Sequence, residues 1–207
     1  MNPIVEWLNQ LSAVAAGPAA WGLFLTGAGI YLIREWRVRF LVLVVQYLLI
    51  GVQFARVFDT RPELAVMKIL VGWLVSATFL VSASIRSGAR SSVARSNAWA
   101  SNLPFRILAL VTVTVVANLA SQRYPLPYVS ADVGLACFLL VVMAVLFIGT
   151  EEADPGVVGV GLLNLLTALD IFYSAQEPGL LVTGLLVVLS LIVALATSFL
   201  TVAEVPA

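Results

Sequence analysis

Apolar runs at residues 18–33, 40–55, 64–85, 104–120, 133–149, 157–173 and 179–202 constrain this chain more than any other feature. Crossing a bilayer as a helix takes roughly 20 apolar residues, fewer at the short end of the range. The runs are continuous and do not alternate apolar with polar over about ten residues, which excludes a transmembrane barrel. The expected fold is all-α, a polytopic transmembrane helical bundle of about seven spans. Composition agrees. Hydrophobic residues make up 61% of 207 and charged residues 11%, with a mean hydropathy of +1.05, against about 45–50% apolar and a quarter charged in soluble domains.

What is missing narrows the chemistry. The chain has no histidine and one cysteine, Cys137, so histidine-ligated haem, Cys-rich clusters and Ser-His-Asp catalysis are excluded for its own side chains. No aspartate pair or metal-ligand set appears, so no cofactor, no metal and no catalysis by the chain alone are expected. Its net charge is zero, and nucleic acid is not an expected partner. Glu151, Glu152 and Asp154 form an acidic turn that reads either as a cation site or as a solvated loop.

Charge distribution sets an orientation. The connectors after the first and third runs hold Arg34, Arg37, Arg39, Arg86, Arg90, Arg95 and Arg106, and the opposite side only Arg56, Arg61 and Arg123. The positive-inside rule then places the N-terminus outside and the C-terminus in the cytoplasm, in a multi-pass protein of the plasma (inner) membrane. Residues 1–16 begin with negative charge, unlike a cleaved signal peptide. Trp7, Leu8 and Leu11 share one face there, so the segment reads as an interfacial helix or as a frayed terminus. A three-span module at 17–86 follows, with Gly17 and Pro18 opening its first span. A Ser- and Arg-rich cytoplasmic loop occupies 87–104, the fourth span and its connector 105–132, and a second three-span module 133–207.

Within the runs, polar residues are few. Lys68 is the only lysine, inside the run 64–85, where an ammonium at mid-depth costs at least about 2.5 kcal/mol. Two arrangements are open. Lys68 lies near the start of its run and its stem can reach the headgroups; alternatively it pairs with Asp170, the carboxylate that the orientation places at similar depth in the outer leaflet. Gln46, Gln53 and Asn164 are candidates for a polar path or for interhelical hydrogen bonds. Gly27, Gly29, Gly159, Gly161, Gly184 and Gly72, with Ser76 and Ser82, permit close helix contacts.

Gly161 to Asp170, GLLNLLTALD, carries a resemblance. With the flanking runs, about 136–200, it is similar to the three-helix K-type subunit of complex I and the C subunit of Mrp sodium/proton antiporters. That family's second helix has a glycine, a proton-path glutamate and then an asparagine; here Leu163 stands at the glutamate position beside Asn164. Residues 37–55 followed by MKILVGWLVSA resemble the E-type membrane subunit of group 4 hydrogenases, where a lysine helix comes in the same order. The resemblance implies a membrane subunit of a proton- or sodium-translocating complex, with antiporter-like subunits and lipids as partners. The absent glutamates imply a scaffolding role, with Lys68 and Asp170 in the boundary. A self-sufficient transporter, with a pocket between spans two, three and six lined by Gln46, Gln53, Lys68, Asn164 and Asp170, is the alternative; an accessory subunit of another energy-converting complex is a third.

Overall fold

The computed structural model describes residues 3–33, 35–57, 63–89, 96–127, 129–149, 155–176 and 179–203. These form helices α1 (Pro3–Leu32), α2 (Trp36–Val57), α3 (Glu63–Ala89), α4 (Ser96–Arg123), α5 (Ala131–Ile148), α6 (Pro155–Gln176) and α7 (Leu180–Ala203), with no strand among the described residues. Six helices are long and apolar enough to cross a membrane, and α1 contributes a shorter apolar stretch, Pro18–Leu32. The protein is a multi-pass helical membrane protein. Helices are the outcome because a bilayer offers no water to satisfy backbone N–H and C=O groups.

The helices stand in two rows. In the first, α1 packs on α2 and α2 on α3; in the second, α5 packs on α6 and α6 on α7. The rows meet face to face, α1 against α5, α2 against α6, and α3 against α7, while α4 lies outside against α5. About half of the residues in the spans of α2, α5 and α6 are buried within the protein, against 17% for α4 and 22% for α7, so the last two present their apolar sides outward.

Packing between the rows is aromatic and aliphatic. Tyr31 of α1 meets Phe147 of α5 edge-on with ring centroids 5.9 Å apart, while inside the first row Phe40 of α2 stacks on Phe79 of α3 at 5.8 Å. Within rows, glycine allows close approach. A Cβ on Gly72 would fall 2.1 Å from the Tyr47 ring, on Gly51 2.3 Å from Ile69, and on Gly159 2.8 Å from Thr197. Gly161 faces Phe147 in the same way, Gly29 makes ordinary contact with Val42, and across the rows Gly27 of α1 faces Met143 of α5. Gly184 does not behave as expected. Nothing lies within 4 Å of its Cβ position, because it sits on the outward side of α7.

Helix boundaries differ from the sequence expectation at two places. Pro3–Leu32 is one helix, so the break expected between residues 1–16 and the first span is absent and Pro18 lies inside α1. The expected loop at 87–104 is largely helix as well: α3 runs to Ala89 and α4 starts at Ser96, with Pro104 inside it. The physical reason is common to both. Extending a helix already nucleated by an apolar span fixes one residue per added hydrogen bond, so polar sequence is carried along. Membrane-protein helices also accommodate an internal proline through local adjustment. The side chains of Trp7, Leu8, Leu11, Arg37 and Arg86, and the whole of Arg34, Arg61, Arg90, Arg95, Glu151, Glu152 and Asp154, lie outside the described residues.

Candidate functional site

Lys68 stands in the second turn of α3 and Asp170 lies six residues before the end of α6. At helical rise, each is about 8–9 Å from its helix terminus. The row-on-row arrangement brings these depths together: Lys68 Nζ donates to Asp170 Oδ2. Lys68 is 7% exposed and Asp170 5%, so the pair is enclosed by protein rather than reaching the headgroups separately. Two charges in a low-dielectric interior need each other and further hydrogen bonds. Ser174, one turn beyond Asp170, donates to its Oδ1 at 3.3 Å. The Phe54 ring of α2 receives the ammonium face-on, with Nζ 5.3 Å from its centroid, a favourable cation–π contact.

Beside the pair is a small cavity where α2, α3, α6 and α7 converge. Tyr47, Phe54, Lys68, Thr167, Asp170 and Ser190 contribute to its lining, and the space open to the centre of a water molecule is about 20 Å³. Of the five residues expected to line a pocket, only Lys68 and Asp170 do so.

The amides are engaged elsewhere. Gln46 Nε2 donates to Asn164 Oδ1 at 2.9 Å, joining α2 to α6. Asn164 is six residues before Asp170, about 9 Å along α6, so the two rows share polar contacts at two levels. The remaining acceptor of Gln46, Oε1, and donor of Asn164, Nδ2, are buried without a partner among the described residues. Gln53 is fully buried two turns further along α2 and does not line the cavity.

Sequence reasoning missed the contribution of α7. Thr183, Ser190 and Thr197 recur every seven residues, with Thr201 one turn on, which places them along one helix face. Thr183, Thr197 and Thr201 are buried, and α7 packs on α3 and α6, so this face looks into the bundle. The seven-residue spacing was the available signal. It was obscured because hydroxyls in apolar spans commonly bond their own backbone, as Ser190 does to Leu186 O and Thr197 to Val193 O.

A second buried cation lies elsewhere in the bundle. Arg106 of α4 donates to the Tyr31 carbonyl at 3.2 Å and covers the Tyr31 ring at 5.4 Å. Arg39 bonds the neighbouring Ile33 carbonyl through Nε and Nη2 at 3.2 and 3.0 Å. The C-terminal end of α1, where carbonyls lack intrahelical donors and the helix dipole is negative, is thus held by two guanidinium groups. Arg106 had been counted only as an orientation charge.

The chain matches no protein-family model, no curated protein and no solved structure.

Proposed function

We propose that this protein is a membrane subunit of a multisubunit complex that translocates protons or sodium ions, with its main task to hold an antiporter-like neighbour in place. The observation that carries the reading is the Lys68–Asp170 pair, a buried charge pair at bilayer depth joining the two rows. Ionisable groups inside a membrane are costly and mark ion pathways or the joints that organise them. Leu163, at the position where the resembling family has a titratable glutamate, is fully enclosed, which favours the joint over the pathway. Lightly buried α4 and α7 provide broad apolar sides for neighbouring subunits or lipid. In this reading the N-terminus is outside and the C-terminus cytoplasmic, in the plasma (inner) membrane.

The size of the cavity bears on the alternative. Solute pockets usually measure about 300–1,000 Å³, and the space beside the pair is about 20 Å³, suited to water, a proton or a small ion. That weighs against a self-sufficient solute transporter. The test is to tag the C-terminus, extract native membranes in mild detergent, and identify co-migrating proteins on a native gel by mass spectrometry. Recovery with large antiporter-like subunits is the expected result. Migration alone or as a small homo-oligomer would overturn the subunit reading.

A further inference from the structure

The hydrogen-bonding capacity of the buried ion pair exceeds what the surrounding side chains take up. An ammonium has three N–H donors and a carboxylate about four acceptor positions. Lys68 gives one donor to Asp170 Oδ2 and faces the Phe54 ring; Asp170 Oδ1 receives one bond from Ser174. No other side-chain hydrogen bond reaches either group among the described residues.

The hydroxyls of Thr167 and Ser190 offer lone pairs rather than hydrogens. Thr167 Oγ1 donates to Leu163 O at 2.7 Å and Ser190 Oγ to Leu186 O at 2.8 Å. The cavity is lined by all four of Lys68, Asp170, Thr167 and Ser190. A water molecule needs about 10–15 Å³ by this measure and two to four polar partners. The cavity, at about 20 Å³, meets both conditions.

We infer that this cavity is a water site, holding one or two molecules that bridge the Lys68–Asp170 pair to Thr167 and Ser190. The ion pair is therefore hydrated within the bilayer. Water occupies the spare donors of Lys68 and the spare acceptors of Asp170, which reduces the cost of keeping both groups charged. It also brings exchangeable protons to the carboxylate. The inference is independent of any assembly: the water site stands or falls on this chain alone.

Radiolytic footprinting tests it. The full-length protein in lipid nanodiscs receives millisecond X-ray pulses in water labelled with heavy oxygen, so that water bound inside the protein oxidises the side chains it touches. Phe54, Phe79 and Phe147 share the same chemistry and are 1%, 1% and 0% exposed, yet only Phe54 lines the cavity. Phe54 should take up label several-fold faster than Phe79 and Phe147; equal rates would overturn the inference. Ser190→Leu, which fills the cavity and removes an acceptor, should bring Phe54 down to the rate of Phe79. Persistent fast labelling of Phe54 in that variant would also overturn it, because the water would then lie elsewhere. Should Ser190→Leu fail to fold, the comparison of the three wild-type phenylalanines decides alone.

Discussion

Removing one member of the Lys68–Asp170 pair strands the other charge in a site shielded from bulk solvent. Breaking a buried pair in this way costs about 3–5 kcal/mol, whereas replacing both members by apolar groups of similar volume is often neutral. Lys68→Ala and Asp170→Ala should therefore each destabilise the protein by about that amount, and Lys68→Met with Asp170→Leu should recover most of the loss. Thermal unfolding in nanodiscs measures all three. If the single losses were small and simply summed in the double variant, the two groups would not be acting as a pair. Asp170 and Lys68 were legible as partners from the sequence, because runs that cross alternately bring the start of the third and the end of the sixth to the same side, and helical rise then matches their depths. Ser174 and Phe54 were not, since neither a serine nor a phenylalanine in an apolar run announces which charge it faces.

At the scale of the helices, close packing and terminal capping make separable predictions. Gly72→Ala places a methyl 2.1 Å from the Tyr47 ring on the neighbouring helix, and such overpacking costs about 1–3 kcal/mol. Gly184→Ala meets nothing within 4 Å and should leave the melting temperature unchanged or raise it, since alanine is the better helix former. A side-by-side thermal comparison of the two variants checks the contrast; equal losses would mean that the α2–α3 contact is looser than described. Arg106→Ala removes the guanidinium from the Tyr31 carbonyl and ring, a loss of about 1–2 kcal/mol. Arg106→Lys should restore only part of it, because an ammonium lacks the planar fork. Hydrogen exchange at the C-terminal turn of α1 should rise in Arg106→Ala and not in Gly72→Ala. From sequence, all these glycines looked alike and Arg106 was one more positive charge. Spacing alone does not say which side of a helix meets protein when every side is apolar.

For the molecule as a whole, the arginine asymmetry predicts a cytoplasmic C-terminus. A fluorescent protein that matures only in the cytoplasm should glow when fused there, and a periplasmic reporter should stay silent; the reverse would invert the orientation and place Lys68 and Asp170 in the inner leaflet. The sequence by itself determined the class and the approximate spans, and it predicted a common depth for Lys68 and Asp170. Those follow from bilayer thickness and from the need to satisfy backbone groups inside one helix, both local properties of the chain. Only the tertiary structure decided that α3 lies beside α7, that Gln46 meets Asn164 across the rows, and that Ser190 borders the same cavity as Lys68. Lipid tails are as apolar as leucine, so no hydrophobic gradient orders helices within a membrane; the order comes from which shapes and polar groups fit together.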